Sequence, residues 1–477
     1  MTFYFYDLET SGLNARAQRI MQFAGQRTDE NFKPIGEPQN WTVKLSDEVL
    51  PDPDAILVTG ITPQKTLEEG YTEAEFLRLL SEEVLQPDTV IVGFNSIRFD
   101  DEFMRATLWR NFYDPYEWQW QDGRSRWDLL DVVRMVRALR PEGIEWPTDE
   151  RGEPTNRLEL LTKANGLDHQ NAHDALSDVY ATIAVAKLLK EKQPQIFDYL
   201  LNMRDKKHVR ELVNLEDKKP FVYTSGRYDS QYQKTTVAFP IAPGSNGNVL
   251  VYDLRYDPSD FVKLSEQELA DKVFASWEQR KAESFVKLPV KILPYNKAPA
   301  VAPLGVLTQD DGWGKIQLSE AEIQKNLKML LAYPDFAERL RSVFERKREY
   351  PVVNDPDFQI YDGFVGDNDK TRMRAVRAAG QNDLADLNLD FSDERLEKLL
   401  LRYKARNFPK SLTASERELW EDYRTKRIIE GSSGQLSLEK FAKRLAELAA
   451  TRGGDDQVQF LLQELQLYAE SIAPIPD

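Results

Sequence analysis

The sequence predicts three parts in order: an α/β domain over residues 1–193, a small β-barrel or sandwich module over 194–350, and a helical bundle over 351–477. Three observations carry this. The first part mixes β-rich runs with amphipathic stretches; from about residue 204 short β-like runs are broken by Gly, Pro and Asn; and from Arg348 onward apolar residues recur at helical spacing. With 477 residues and about 150 residues per domain as a guide, three cores are within reach.

Thr2–Asp7 reads as a strand too short and too aromatic for a helix, and Ile20–Arg27 and Trp41–Leu45 continue it as a meander. Glu73–Leu85 carries Phe76, Leu77, Leu80 and Val84 on one helical face, and Pro87-Asp88 separates it from a strand at Thr89–Phe94. Helices are expected at Asp101–Arg110, Leu129–Leu139, Leu158–Ala164 and Asp174–Lys192, with Gln193-Pro194 ending the last. In the second part the strand-like runs are Phe221–Thr224, Thr235–Phe239, Asn248–Asp253 and Phe285–Leu293. In the third, helices are expected at Leu396–Tyr403, Ala414–Ile429, Ser437–Ala450 and Gln457–Ser471, with Gly431-Ser-Ser-Gly434 read as a polar linker.

Composition excludes several classes. There is no cysteine, so thiol nucleophiles, thiolate metal sites and disulfides are all absent. No apolar run approaches the ~18 residues of a membrane span, and MTFYFYDLET lacks the basic flank and apolar core of a secretory signal. A cytoplasmic location is expected. The net charge of −16 argues against a protein that coats nucleic acid nonspecifically. That excess is concentrated in residues 1–193, with 21 Lys+Arg against 34 Asp+Glu. Within this acidic part the arginines bunch between Arg98 and Arg157, interleaved with Phe, Tyr and Trp, which suggests a local cationic face.

Chemistry-bearing acids fall at element ends. Asp7 and Glu9, two apart on a strand, share one face about 7 Å apart and can hold a divalent cation between them. Alone, such a pair is more often a solvated surface pair. Asp100 closes Asn95-Ser-Ile-Arg-Phe-Asp at the start of a helix, where a plain N-cap is the alternative. In Asn171-Ala-His173-Asp174-Ala-Leu-Ser-Asp178, Asp174 can cap a helix while Asp178 projects one turn in.

Taken together, Asp-x-Glu, Asn-xxx-Phe-Asp and His-xxxx-Asp resemble the DnaQ-like 3′→5′ exonuclease superfamily, in its subgroup with a His in the last motif. Further segments resemble bacterial exonuclease I across most of the chain: Ala55–Pro63, Arg98–Glu102, Arg110–Pro115, Ser125–Asp131, Leu139–Gly143, Leu161–Gly166, Val290–Ile292, Asn296-Lys297, Glu397–Leu400 and Tyr403–Pro409. The resemblance implies a ribonuclease H-like mixed sheet, then an SH3-like β domain, then an all-α C-terminal domain. It implies hydrolysis of single-stranded DNA from the 3′ end, releasing nucleoside 5′-monophosphates, in repair and recombination. By the same resemblance Asp7, Glu9, Asp100 and Asp178 hold two Mg²⁺, with Mn²⁺ as a substitute, and His173 is the general base.

Oxygen ligands suit hard cations, and a pair of ions can offset charge on the nonbridging, entering and leaving oxygens of a phosphodiester. A His with an ordinary pKa near ~6.5 can take a proton at neutral pH. Arg105, Tyr116, Trp120, Arg134 and Arg157 are the expected DNA contacts, combining phosphate-tracking cations with stacking faces. Asn156 departs from the family, which can carry an aromatic there. The family also binds the acidic C-terminal tail of single-stranded DNA-binding protein, for which Arg140 and Tyr199 are the candidates; a monomer is expected. The alternatives are a 3′→5′ exoribonuclease, since acidic motifs do not distinguish sugars, and a noncatalytic single-strand binding module.

Overall fold

The computed structural model describes residues 1–167, 174–346, 353–387 and 389–474. The chain divides into two compact units, one formed by residues 1–125, 169–183 and 352–477, the other by 126–168 and 184–351.

In the first unit β1 (Thr2–Thr10) is the organising strand. β2 (Ile20–Thr28) pairs with it antiparallel, β3 (Gln39–Thr42) follows on β2, and β4 (Thr89–Gly93) lies parallel on its other side. A mixed sheet results. Phe3 and Phe5 fill one face of β1 and Tyr4 and Tyr6 the other, all buried, so the strand is covered on both faces, as a near-continuous apolar run requires. The third strand lies slightly earlier than the expected Trp41–Leu45. The expected helix at Glu73–Leu85 is an α-helix over Glu73–Leu79 that widens into a π-turn over Leu80–Val84.

The same unit holds the helices of residues 353–474, chiefly Asp367–Ala378, Glu394–Asn407, Ala414–Glu430, Leu438–Arg452 and Asp456–Ile472. They form the expected all-α C-terminal part and share cores with the α/β part. Met21, Leu45 and Ile56 share a core with Ile428, Phe441, Leu465 and Tyr468, and Trp109 and Phe112 share another with Met373, Leu396 and Tyr403. Between these cores lies a buried ionic network. Glu48 accepts from Arg19 at 2.6 Å and from Arg406 at 2.9 Å; Asp357 pairs with Arg406 at 2.5 Å and Arg402 at 3.4 Å; and Glu73 pairs with Arg110 at 2.8 Å. The expected linker at Gly431–Gly434 is instead a tight turn, with Ser432 and Gln435 exchanging backbone hydrogen bonds of 3.0 Å.

In the second unit β6 (Phe221–Thr224), β7 (Thr235–Pro243), β8 (Val249–Asp253), β9 (Val290–Leu293) and β10 (Ala300–Pro303) form an antiparallel sheet in the order β10-β6-β7-β8-β9, while β5 (Ser125–Asp128) begins where the first unit ends. Only Val290–Leu293 of the expected Phe285–Leu293 run is strand. The module is also more helical than its β-like texture implied, with helices at Glu266–Phe274, Glu320–Leu331 and Asp335–Glu345. Pro194 does more than stop the preceding helix: it is the first residue of the helix Pro194–Asn202, where its missing N–H costs nothing.

Candidate active site

Asp7 and Glu9 stand on β1 past the point where its parallel partner stops, because β1 pairs with β4 only from Thr2 to Phe5. Opposite them on β2 are Ala24 and Gln22, and the register shifts between Glu9 and Thr10. The carboxylates are therefore offered at the C-terminal end of a central strand, the usual position for a site on such a sheet. Asp178 comes from the first turn of the helix Ala175–Lys192, its N–H donating to the Asp174 carbonyl at 3.0 Å. One ligand oxygen from each of Asp7, Glu9 and Asp178 lies within 4.8 Å of the others.

Asp100 is buried and opens the helix Asp100–Arg110, for which Phe99 rather than Asp100 is the cap. It falls outside the 4.8 Å group, yet its charge acts on Asp7. The start of that helix is tied to β1 by the Tyr6 hydroxyl, which donates to Asp101 at 2.8 Å. A fifth acid, Asp174, also bears on Asp7 and Glu9, and Gln22 Nε2 donates to its Oδ1 at 3.4 Å. Sequence reasoning gave Asp174 only a capping role, although its spacing of four from Asp178 was a usable signal. His173 lies outside the described residues.

Burial, and then the charges of Asp100, Asp178 and Asp174, hold the Asp7 carboxyl well above the usual carboxylate range. Burial, then Asp7, Asp178 and Asp174, push Glu9 up to about 9. Acids so placed resist ionisation unless a cation joins them. The donor set is all oxygen, as a hard divalent ion requires.

The expected DNA contacts are divided between the units. In the first, Arg105 is buried, paired with Glu102 at 2.6 Å and donating to Gln119 at 3.1 Å. Its guanidinium lies 5.8 Å from the Tyr116 ring, and that ring is 6.0 Å from Phe364. Trp120 is 59% exposed and Phe364 89% exposed. Phe364 and Tyr361, whose hydroxyl meets Glu102, went unnoticed because an isolated aromatic in a loop carries no periodic signal. In the second unit, Arg134 pairs with Asp131 at 2.6 Å and lies against Gly226, where a side chain would collide with it at 2.8 Å. Arg157 caps the helix Leu158–Ala164 and is largely exposed beside Glu159. Asn156 accepts from Arg137 at 3.2 Å.

The expected cationic face is narrower than the arginine count implies, because several arginines are committed internally. Arg110 is spent on Glu73, Arg124 on the carbonyls of Trp118 and Leu85, and Arg137 on that of Pro147. Arg140 is mostly covered too, donating to the carbonyls of Leu139 at 2.7 Å and Val306 at 3.1 Å, whereas Tyr199 packs on the cluster of Met203, Val209 and Tyr223.

Three family models match the chain in order: "Exonuclease" over residues 4–186, "Exonuclease I SH3-like domain" over 204–346 and "Exonuclease I C-terminal domain" over 354–472. Exodeoxyribonuclease I of Escherichia coli is 39% identical over 99% of this chain and 98% of its own length. Its crystal structure in complex with a dA16 oligonucleotide superposes with a TM-score of 0.94 at 38% identity, covering 99% of this chain and 100% of that one. The zinc-bound form of the E. coli enzyme with single-stranded DNA gives 0.92 at 38% identity, covering 99% of each chain. The predicted order of exonuclease, SH3-like and C-terminal domains agrees with these matches, and the chain belongs to the exodeoxyribonuclease I family.

Proposed function

We propose that the chain is a divalent-cation-dependent exonuclease that removes nucleoside 5′-monophosphates from the 3′ end of single-stranded DNA, serving repair and recombination. The convergence of Asp7, Glu9 and Asp178 within 4.8 Å carries this reading. Their mutual repulsion supports it, because clustered acids that oppose each other's ionisation are stabilised by a hard cation. Two Mg²⁺, or Mn²⁺ in their place, would supply charge neutralisation at the scissile phosphate. The chain's own residues then have separate tasks: Asp7, Glu9, Asp100 and Asp178 hold the ions, and His173 takes the proton of the attacking water. Arg105, Tyr116, Trp120, Arg134 and Arg157 hold the strand. Membership in the family and the oligonucleotide complexes of the E. coli relative support the choice of DNA.

The test is a time course on matched 5′-labelled single-stranded DNA, duplex DNA and RNA with Mg²⁺ or EDTA. Stepwise 3′ shortening of single-stranded DNA, only with Mg²⁺, is expected. Equal shortening of RNA would move the assignment to an exoribonuclease, and binding without shortening would leave only a binding module.

The reading extends to a monomer working in the cytoplasm, with parts bounded at 1–193, 194–350 and 351–477. Among the described residues no helix is long and apolar enough to cross a membrane. It further includes docking of the acidic tail of single-stranded DNA-binding protein at Arg140 and Tyr199, since an apolar residue beside a free carboxylate suits a guanidinium next to a ring. Arg140→Ala should lose tail-peptide binding while activity on bare DNA persists; unchanged peptide affinity removes Arg140 from that site.

A further inference from the structure

We propose that the turn Gly431–Gly434 and the Gln18 side chain form a clamp that positions Glu9 for its cation, making residues from the far end of the chain part of the support of the metal site. The inference rests on the metal-site reading above.

Glu9 is followed at once by the loop of residues 11–19, which returns as β2. That loop thus joins the strand bearing Asp7 and Glu9 to the strand bearing Gln22, the residue that contacts Asp174. The loop is fixed internally by Gln18, which is 1% exposed. Its Oε1 accepts from the Ser11 hydroxyl at 2.7 Å, two residues past Glu9. Its Nε2 donates outward, to the Leu50 carbonyl at 3.3 Å and the Gly434 carbonyl at 3.1 Å. Asn14 Nδ2 donates to Ser433 O at 3.1 Å, and Arg427 donates to the Ala17 carbonyl at 2.6 Å. Every one of these last three outward partners is more than 400 residues away in sequence.

The approach is close enough to be specific. Gly434 has φ +92°, and a side chain there would meet Asn14 at 2.4 Å. The turn itself is stiff, since Gln435 Nε2 donates to Glu48 O at 3.2 Å and Gln435 Oε1 accepts from Arg427 Nε at 3.0 Å. A cavity of about 450 Å³ lies beside the contact, lined by Leu13, Asn14, Gln18, Gly431 and Gly434 among others. The loop's ties to the C-terminal residues are directed hydrogen bonds, each of which one substitution can remove. Groups that orient a metal ligand without touching the ion typically govern about 10–100-fold in affinity.

The test is calorimetric titration of Mn²⁺ into the full-length protein without DNA, alongside steady-state kinetics on single-stranded DNA. Gly434→Val and Gln18→Met should each weaken Mn²⁺ binding about tenfold. They should lower kcat at limiting Mg²⁺, with recovery at high Mg²⁺ and with KM for DNA unchanged within about twofold. Gln64→Met is the matched control: it removes a 2.7 Å bond to the Glu464 carbonyl, a contact with the same C-terminal helices but away from the loop, and should leave Mn²⁺ affinity at the wild-type value. Wild-type Mn²⁺ affinity in a folded Gly434→Val or Gln18→Met protein overturns the clamp, as does an equal loss in Gln64→Met. If Asp7→Asn binds Mn²⁺ as the wild type does, the metal-site reading fails and the clamp with it.

Discussion

Two groups of buried or half-buried acids lie in the same unit and behave in opposite ways. The described charges acting on Asp7 and Glu9 are negative, and both are held above the usual carboxylate range. Around Glu48, Glu73 and Asp357 the neighbours are Arg19, Arg110, Arg402 and Arg406, and all three acids are held below that range despite complete burial. Burial is common to both groups, so the sign is set by the company each acid keeps. The network carries its own counter-charges and is finished on folding. Among the described groups acting on Glu9 there is none, and in the metal-site reading proposed above a cation would supply the positive charge.

The sharpest break in this comparison is to neutralise the unfinished group. Asp7→Asn or Asp178→Asn should reduce hydrolysis by at least about 10³-fold, because a ligand to the ions is gone. Single-strand binding should be retained, and without metal the melting temperature should not fall. Near wild-type turnover in either variant would remove that residue from the site.

Breaking the finished group should do the reverse. Arg406→Met leaves Glu48 and Asp357 without their main partner, and orphaning a buried charge costs about 3–5 kcal/mol. The denaturation midpoint should fall accordingly, before any effect on chemistry is sought. A shift below about 1 kcal/mol would mean that the remaining arginines compensate.

His173→Ala tests whether the site works by proton transfer as well as by charge. Turnover should drop about 10²-fold, with the acidic limb of the pH–rate profile lost. An unchanged profile would leave His173 a structural role.

The mildest effect distinguishes the two groups in a single experiment. A carboxyl whose folded pKa is raised binds its proton more tightly in the folded state, so without metal Glu9 contributes a loss of stability as pH rises from its ordinary value near 4.5 toward about 9. The depressed carboxyls of the network have the opposite sign: their stabilisation is present above the ordinary carboxylate range and is lost as pH falls through and below it. In EDTA, melting temperature should therefore decline on both sides of a maximum, and Mg²⁺ should flatten the alkaline side alone. An alkaline slope unaffected by Mg²⁺ would locate its origin elsewhere.

What could be read from the sequence follows from the range of the interactions. Asp7 and Glu9 were legible because a strand of aromatic residues fixes which side chains share a face, and Leu129–Leu139 because its apolar spacing is unbroken; the helix has those bounds. Helices in the second unit were missed although two announce themselves with capping boxes, Ser265 with Glu268 and Ser319 with Glu322. Their apolar residues are sparse among charges, and the Gly- and Pro-broken strands around them dominate the local texture. The arginines misled for another reason. An exposed phosphate ligand and a buried ion-pair partner look alike in sequence, and Arg110 is settled by Glu73, 37 positions away.

The pairing of Arg406 with Glu48 spans 358 positions, and this separation has a temporal meaning. At a synthesis rate of about 5–20 residues per second, Glu48 leaves the ribosome on the order of 20–70 s before the arginine that pairs with it, a gap set by those 358 positions. Through that interval Glu48 has only Arg19 for company, and the loop beside Glu9 has no turn to rest against. The first unit is therefore completed last, because its buried ionic network cannot close until residues 126–351 have already been made.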